Sequence, residues 1–69
     1  MREHTYKVVE ITGSSTEGID QAIRNAIEKT SETINNLDWF EVLETRGNIK
    51  DNSIAYCQVI IKIGFRLED

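Results

Sequence analysis

Residues 53–67 read SIAYCQVIIKIGFRL, and this stretch decides the fold. The even-numbered positions are mixed in character and include Gln58 and Lys62. Every odd-numbered position is apolar: Ala55, Cys57, Val59, Ile61, Ile63, Phe65 and Leu67. Such alternation with a period of two is typical of a β-strand whose two faces lie in different surroundings. The pattern therefore predicts a strand from Ser53 to Leu67 whose odd-numbered face packs against a helix.

Two more strands are predicted before this one. Residues Thr5 to Thr12 are rich in β-branched and aromatic side chains, and Gly13 is expected to end that strand. A second strand is predicted from Asp38 to Lys50, and Asp51 and Asn52 follow it directly. Both of these residues tolerate left-handed conformations, so a tight hairpin turn is expected between the last two strands.

One amphipathic helix is predicted between the first two strands, from Ser15 to Asn35. Its apolar residues recur at spacings of three and four and form one narrow stripe: Ile19, Ala22, Ile23, Ala26, Ile27 and Ile34. Ser14 and Glu17 have the spacing of a capping box at the start of this helix. The alanines of the stripe would let the helix lie close to a sheet. The predicted element order is β-α-β-β, which places the chain in the α+β class.

The hairpin predicts which face each residue of the second strand occupies. A two-residue turn pairs Lys50 with Ser53, and residues directly opposite one another share a face. Phe40 and Val42 are then expected to join the core on the helix side. The far face, meaning the face of the sheet opposite the helix, would carry Trp39, Glu41, Leu43 and Thr45. An error of one residue in the turn would reverse this assignment.

Size and composition favour a single small domain, spanning residues 1–69, that gains stability by self-association. A chain of 69 residues buries only about 60% of its unfolded surface. One cysteine and one histidine exclude an internal disulfide and a four-ligand zinc site. The helix would be about 30 Å long, whereas the last strand would extend to about 50 Å. One helix cannot cover that sheet, so other subunits are expected to cover the overhanging strand ends and the far face.

Charge and hydropathy exclude other classes of protein. The chain has 12 acidic and 8 basic residues, a net charge of −4 and no basic cluster, which argues against nucleic-acid and anionic-membrane partners. No apolar run approaches the roughly 18 residues of a membrane span. The first residues lack the apolar core of a signal peptide, and a lone cysteine without an export signal is typical of a cytoplasmic protein.

The residue types needed for catalysis or metal binding are scarce. His4, the only histidine, is expected to lie in solvent or at an interface. Cys57 lies on the predicted core face, where a free cysteine commonly acts as a small apolar group. We therefore expect no catalytic residue and no metal site, and the chain is not expected to be an enzyme.

Trp39, the only tryptophan, has two interpretations on the far face. It could anchor a subunit interface, where tryptophan is enriched. Alternatively, it could be a stacking platform for a flat ligand whose hydrogen-bonding edge is read by Gln58. The pattern alone favours the interface anchor and leaves the ligand platform open.

Four motifs of the chain resemble one known family. The motifs TYKVVEITGSS (residues 5–15), LDWFEV (37–42), TRG (45–47) and YCQVIIKIGFRLED (56–69) resemble those of the dodecins, small flavin-binding proteins of bacteria and archaea. The resemblance covers nearly the whole chain in the same order. It implies a three-stranded antiparallel sheet partly wrapped around one helix, with twelve subunits assembled into a hollow sphere of cubic symmetry.

The resemblance also implies a flavin site. Trp39 matches the tryptophan on which the family stacks the isoalloxazine ring, with two flavins held as a pair between tryptophans of symmetry-related subunits. Gln58 matches the glutamine that contacts the polar edge of the ring. Arg46 and Arg66 match two further arginines and are expected to contact the phosphate of FMN, with inter-subunit salt bridges as the alternative.

The resemblance implies storage and buffering of FMN or riboflavin, with protection of the flavin from photochemistry and no turnover. It leaves open which flavin is physiological and whether coenzyme A also binds. A structural homo-oligomer in which Trp39 only joins subunits is the alternative. A flavin-dependent oxidoreductase is a third hypothesis.

Overall fold

The computed structural model describes residues 3–68 and shows the predicted element order. Within these residues there are three strands and one helix: β1 (Tyr6–Ser15), α1 (Ile19–Ser31), β2 (Leu37–Lys50) and β3 (Ser53–Arg66). The strands form one antiparallel sheet in the order β1-β3-β2, so the last strand lies in the middle. The predicted α+β class and the three-stranded antiparallel sheet are confirmed.

The core lies between α1 and the helix-facing side of β3. Its buried apolar residues are Ala22, Ala26, Val59, Ile61 and Ile63. The three β3 residues are odd-numbered, so the predicted sidedness of this strand is confirmed. The two alanines also do what their size predicted, because they let the helix lie directly against β1 at Gly13. A β-carbon at Gly13 would overlap the carbonyl of Ala22 and the methyl group of Ala26.

The predicted end of β1 is wrong. The strand continues beyond Gly13 to Ser15, because Gly13, Ser14 and Ser15 extend the ladder with β3 opposite Val59, Gln58 and Cys57. Gly13 therefore does not stop the strand. It is a buried position inside the strand that the helix approaches closely, which is one of the known uses of glycine in a sheet.

The predicted limits of the helix are also too wide. The helix begins at Ile19, and the predicted capping box does not form, because Ser14 and Ser15 belong to the strand. Instead, the Ser15 hydroxyl accepts a hydrogen bond of 2.9 Å from the backbone N–H of Glu17. Gly18 precedes the first turn with a φ of 127°, a conformation that glycine adopts readily. The helix ends at Ser31 rather than Asn35.

The hairpin turn at Asp51 and Asn52 is confirmed. Their φ angles are 53° and 62°, as a type I′ turn requires at both central residues. Lys50 pairs with Ser53 as predicted.

Three register shifts interrupt the β2–β3 ladder, one of them at the start of β2 between Leu37 and Trp39. Counted from the hairpin, the first lies between Asn48 and Ile49 and the second lies between Val42 and Glu44, and these two cancel each other. Beyond the second shift the predicted register returns, so Phe40 pairs with Ile63 on the helix side. Between the two shifts the faces are exchanged relative to the prediction.

Thr45 lies between these two shifts, and its predicted face is wrong. It pairs with Val59 and therefore lies on the helix side, not on the far face as predicted. Glu44 and Arg46 lie on the far face instead, opposite Ile60 and Gln58. The physical reason is the extra residue of each β-bulge, which moves the neighbouring side chains by one position relative to the partner strand.

Most of the helix side of β2 has no cover within the subunit. Leu37, at the start of β2, packs against the core. Phe40 is 47% exposed and Val42 is 41% exposed, so the prediction that they join the core is wrong for the isolated chain. The helix packs mainly on β1 and β3, which leaves the rest of β2 uncovered. The expectation that one helix cannot cover the sheet is confirmed, since the molecule is 53 Å long. Within residues 3–68, no helix has the length and apolar character needed to cross a membrane.

Candidate functional site

Trp39 lies on the far face, as the hairpin register predicted. It pairs with Gly64 of β3, and its indole covers that glycine. A β-carbon at Gly64 would overlap ring atoms of the indole, whereas glycine lets the ring lie on the backbone of β3. Gly64 is buried beneath the ring, and Trp39 itself is 42% exposed. One side of the indole therefore rests on the sheet, and the other side is available to a flat partner.

Arg46 and Gln58 form a second group on the same face. They stand directly opposite each other in the β2–β3 ladder. The Arg46 Nε–H donates a hydrogen bond of 2.9 Å to Gln58 Oε1. Arg46 Nη1 lies 3.5 Å from Glu44 Oε1, so the guanidinium links a carboxylate of its own strand to the amide of the next.

Polar side chains continue along the face beside Gln58. Asn48 Nδ2 donates a hydrogen bond of 2.9 Å to the Tyr56 hydroxyl, which leaves the hydrogen of that hydroxyl free to donate. A cleft of about 430 Å³ lies at this end of the sheet and is lined by Ser14, Ser15, Thr16, Tyr56 and Gln58. These groups suit hydrogen bonding to a hydroxylated or carbonyl-bearing ligand.

Within one subunit, Trp39 and Gln58 are far apart. Gly64, beneath the indole, is six residues along β3 from Gln58, a separation of about 20 Å at 3.3 Å per residue. Arg66 lies two residues beyond Gly64 on the same face, at the Trp39 end. The predicted site residues thus fall into two groups, Trp39 with Arg66 and Gln58 with Arg46. A planar ligand of three fused rings is too short to contact both groups of one subunit.

Three charged residues lie between the two groups. Lys62 of β3 is opposite Glu10 of β1 and Glu41 of β2, so the far face carries a row of alternating charge across the sheet. The pairing of Lys62 with Glu41 follows the predicted register. Among residues 3–68, no three His, Cys, Asp or Glu side chains lie in an arrangement that could hold a metal ion.

Two residues of this face, Gly64 and Glu44, have positions that the sequence pattern did not predict. Gly64 was treated as one of the mixed even positions, although glycine inside a strand of β-branched residues is a known sign of a close approach. Glu44 received no prediction, because the polar residues around it give no sign of the register shift beside it.

Comparison with known proteins places the chain in a family. The family model described as Dodecin matches residues 5–68. A dodecin from Thermus thermophilus is 45% identical over 64 residues, which is 93% of each chain. The solved structure of a dodecin from Streptomyces davaonensis has a TM-score of 0.95 and 56% identity, and covers 99% of this chain and 100% of that one. The dodecin structure from Streptomyces coelicolor has a TM-score of 0.94 and 52% identity, and covers 100% of this chain and 99% of that one. The chain belongs to the dodecin family.

Proposed function

We propose that this protein binds FMN or riboflavin on the far face of its sheet and stores the flavin with its photochemistry suppressed. The observation that carries the proposal is the indole of Trp39, which lies on Gly64 with its other side open. An isoalloxazine ring is planar and electron-poor, whereas an indole is electron-rich and can cover a large part of it. Stacking of this kind adds about 0.5–1.5 kcal/mol per aromatic pair beyond the burial of apolar area.

The site is proposed to form between subunits. Trp39 and Gln58 are about 20 Å apart along β3 in one chain, which is longer than a three-ring flavin. A flavin stacked on Trp39 of one subunit therefore meets Gln58 of another. We propose that two tryptophans from symmetry-related subunits enclose a pair of flavins.

Assembly into a hollow dodecamer is proposed on the same grounds. The helix side of β2 exposes Phe40 and Val42, and the hairpin tip exposes Ile49 and Ile54. Large apolar side chains exposed in this way mark surfaces suited to contact with other subunits. Contacts with neighbouring subunits would bury them and would bring the two groups of far-face residues together.

Arg66 is proposed to contact the phosphate of FMN. It lies at the Trp39 end of the face, and its planar guanidinium suits a phosphate. The guanidinium of Arg46, at the Gln58 end, already contacts Gln58 and Glu44. The arrangement offers stacking, hydrogen bonding and charge, which are the elements of a binding site, and we propose no turnover of the flavin. Coenzyme A, which also carries phosphate groups, is a second candidate ligand.

A fluorescence titration tests this function. Riboflavin at fixed concentration is mixed with increasing amounts of the assembled protein, and its emission is recorded. Because close contact with indole quenches the excited flavin by electron transfer, the emission is expected to fall to a low plateau. The Trp39→Ala variant, checked for assembly by size-exclusion chromatography, should leave the emission nearly unchanged. An assembled wild-type protein that does not quench riboflavin supports the structural oligomer, with Trp39 acting only at an interface.

A further inference from the structure

We propose that Arg46 is a positioning residue that holds the Gln58 carboxamide with its NH₂ group toward the ligand. The flavin site would then recognise hydrogen-bond acceptors on the edge of the ring. This inference rests on the proposed flavin site and assigns the chemical group that the site reads.

The orientation of the amide follows from the chemistry of its partner. A guanidinium has only donors, so the Gln58 atom that lies 2.9 Å from Arg46 Nε must be the carbonyl oxygen. With that oxygen turned toward β2, the NH₂ group is the part of the amide left for a ligand. The positively charged guanidinium beside the oxygen also polarises the amide and makes its N–H groups stronger donors.

The sheet keeps this contact in place. Arg46 and Gln58 are directly opposite each other in the ladder, which fixes their β-carbons about 5 Å apart. Glu44 holds the guanidinium from its other side through the 3.5 Å contact with Nη1. On the β1 side of Gln58 lies the cleft that Ser14 and Tyr56 help to line. The amide therefore has its acceptor toward Arg46 and its donors toward open space.

The polar edge of a flavin complements a donor. The ring carries carbonyl oxygens and unprotonated ring nitrogens at this edge, but only a single N–H in its oxidised form. An amide held with NH₂ outward donates to the acceptors of this edge, which outnumber its single N–H. The same contact changes the role expected for Arg46, because its Nε and Nη1 are directed at Gln58 and Glu44 and not at an incoming phosphate.

Two ligands separate a positioning role from a phosphate contact. Riboflavin lacks the phosphate of FMN but has the same ring. If Arg46 positions Gln58, then Arg46→Met weakens both ligands by the same factor, roughly three- to tenfold for one lost hydrogen-bond orientation. In a Gln58→Leu background, Arg46→Met should have no further effect. A loss confined to FMN would overturn the proposal, as would two losses that simply add. Arg24→Met, which removes an exposed helix arginine paired with Asp20, is the control.

The Gln58→Glu variant tests which group faces the ring. Its carboxylate has the shape of the amide but only acceptors. If the site uses a donor, Gln58→Glu loses at least as much riboflavin affinity as Gln58→Leu. If Gln58→Glu binds nearly as well as wild type, the amide presents its oxygen and the proposal is wrong.

A ligand-free measurement keeps this claim separate from the proposed function. The chain has two glutamines, Gln21 and Gln58, so selective ¹⁵N-glutamine labelling gives two pairs of side-chain NH₂ signals. The Gln21 amide donates to Asn25 on the helix and serves as an internal reference. Arg46→Met should shift the Gln58 amide signals and leave those of Gln21 in place. Unchanged Gln58 signals overturn the positioning role whether or not riboflavin binds, whereas failure of the wild-type protein to bind riboflavin overturns only the proposed function.

Discussion

The indole of Trp39 rests on the α-carbon of Gly64, the residue opposite it in the central strand. This pairing fixes the position of the exposed indole, since the ring lies where any residue other than glycine would place a β-carbon. A stacking platform that is already held in position loses less conformational entropy when a ligand binds. The contact thus links a glycine inside a strand to the proposed flavin site.

Replacing Gly64 with alanine should displace the platform. The added methyl group would overlap the indole, so the ring must move away from the sheet. We expect Gly64→Ala to weaken riboflavin binding by about tenfold, equivalent to about 1.4 kcal/mol. Fluorescence titration measures the affinity, and near-ultraviolet circular dichroism reports the changed setting of the indole. Gly47→Ala is the matched control, because a β-carbon there meets only the Tyr56 carbonyl at 3.4 Å. Equal riboflavin affinities for Gly64→Ala and Gly47→Ala would show that the contact between Trp39 and Gly64 does not contribute to binding.

Trp39 and Phe40 are neighbours with opposite roles. Trp39 faces away from the helix, whereas Phe40 lies on the helix side and is exposed in the isolated subunit. Trp39→Ala should reduce riboflavin affinity by about a hundredfold and leave the thermal stability of the assembly nearly unchanged. Phe40→Ala should instead lower the temperature at which the assembly dissociates, because it removes apolar area proposed to be buried between subunits. Light scattering on a temperature ramp follows dissociation. If Trp39→Ala breaks up the assembly, the tryptophan is an interface anchor.

The hairpin tip offers a separate test of assembly. Ile49 and Ile54 face each other across the ladder and are 73% and 75% exposed. Since a neighbouring subunit is proposed to cover them, a charge placed there should be strongly unfavourable. Ile54→Asp is expected to yield smaller species by analytical ultracentrifugation, while Ile54→Val keeps the wild-type assembly. An Ile54→Asp protein that assembles normally would place the hairpin tip in solvent.

The contact of the helix with β1 predicts a large stability effect at Gly13. A β-carbon at this position would overlap backbone and side-chain atoms of Ala22 and Ala26, and neither can move without shifting the helix. We expect Gly13→Ala to lower the free energy of unfolding by about 2–3 kcal/mol. Chemical denaturation followed by circular dichroism measures this, with Gly47→Ala again as the control. A change of less than about 0.5 kcal/mol, the usual range for surface substitutions, would mean that the helix does not pack this closely.

The sidedness of the sheet could be predicted because one strand carries an unbroken pattern. Apolar residues at every odd position from 55 to 67 leave a single choice of buried face, and the turn at Asp51 and Asn52 carries that choice to the second strand. The face of Trp39 follows from these two facts. The two register shifts on either side of Thr45 could not be predicted, because residues 44–48 between them contain no apolar alternation that would reveal an exchange of faces.

Other predictions were wrong because the surroundings of a residue depend on a different helix or strand. Phe40 and Val42 have the pattern of core residues and are nevertheless exposed. The helix lies on their face of the sheet, but it packs mainly over β1 and β3. Their pattern is consistent with burial in an assembly. Gly13 was interpreted as a strand terminator, but its role comes from two alanines on a helix that follows it in the chain. The Arg46–Gln58 hydrogen bond likewise depends on the register shift between Asn48 and Ile49, without which Arg46 would stand opposite Cys57.

The central claim is that Trp39 is the surface on which this protein stacks flavin, and the most direct test is a crystal structure of the assembled protein with riboflavin. The expected result is an isoalloxazine ring lying parallel to the Trp39 indole, on the side away from Gly64, with Gln58 of another subunit at its polar edge. A riboflavin found on the helix side, or tryptophan copies too far apart to enclose a pair of rings, would contradict the account.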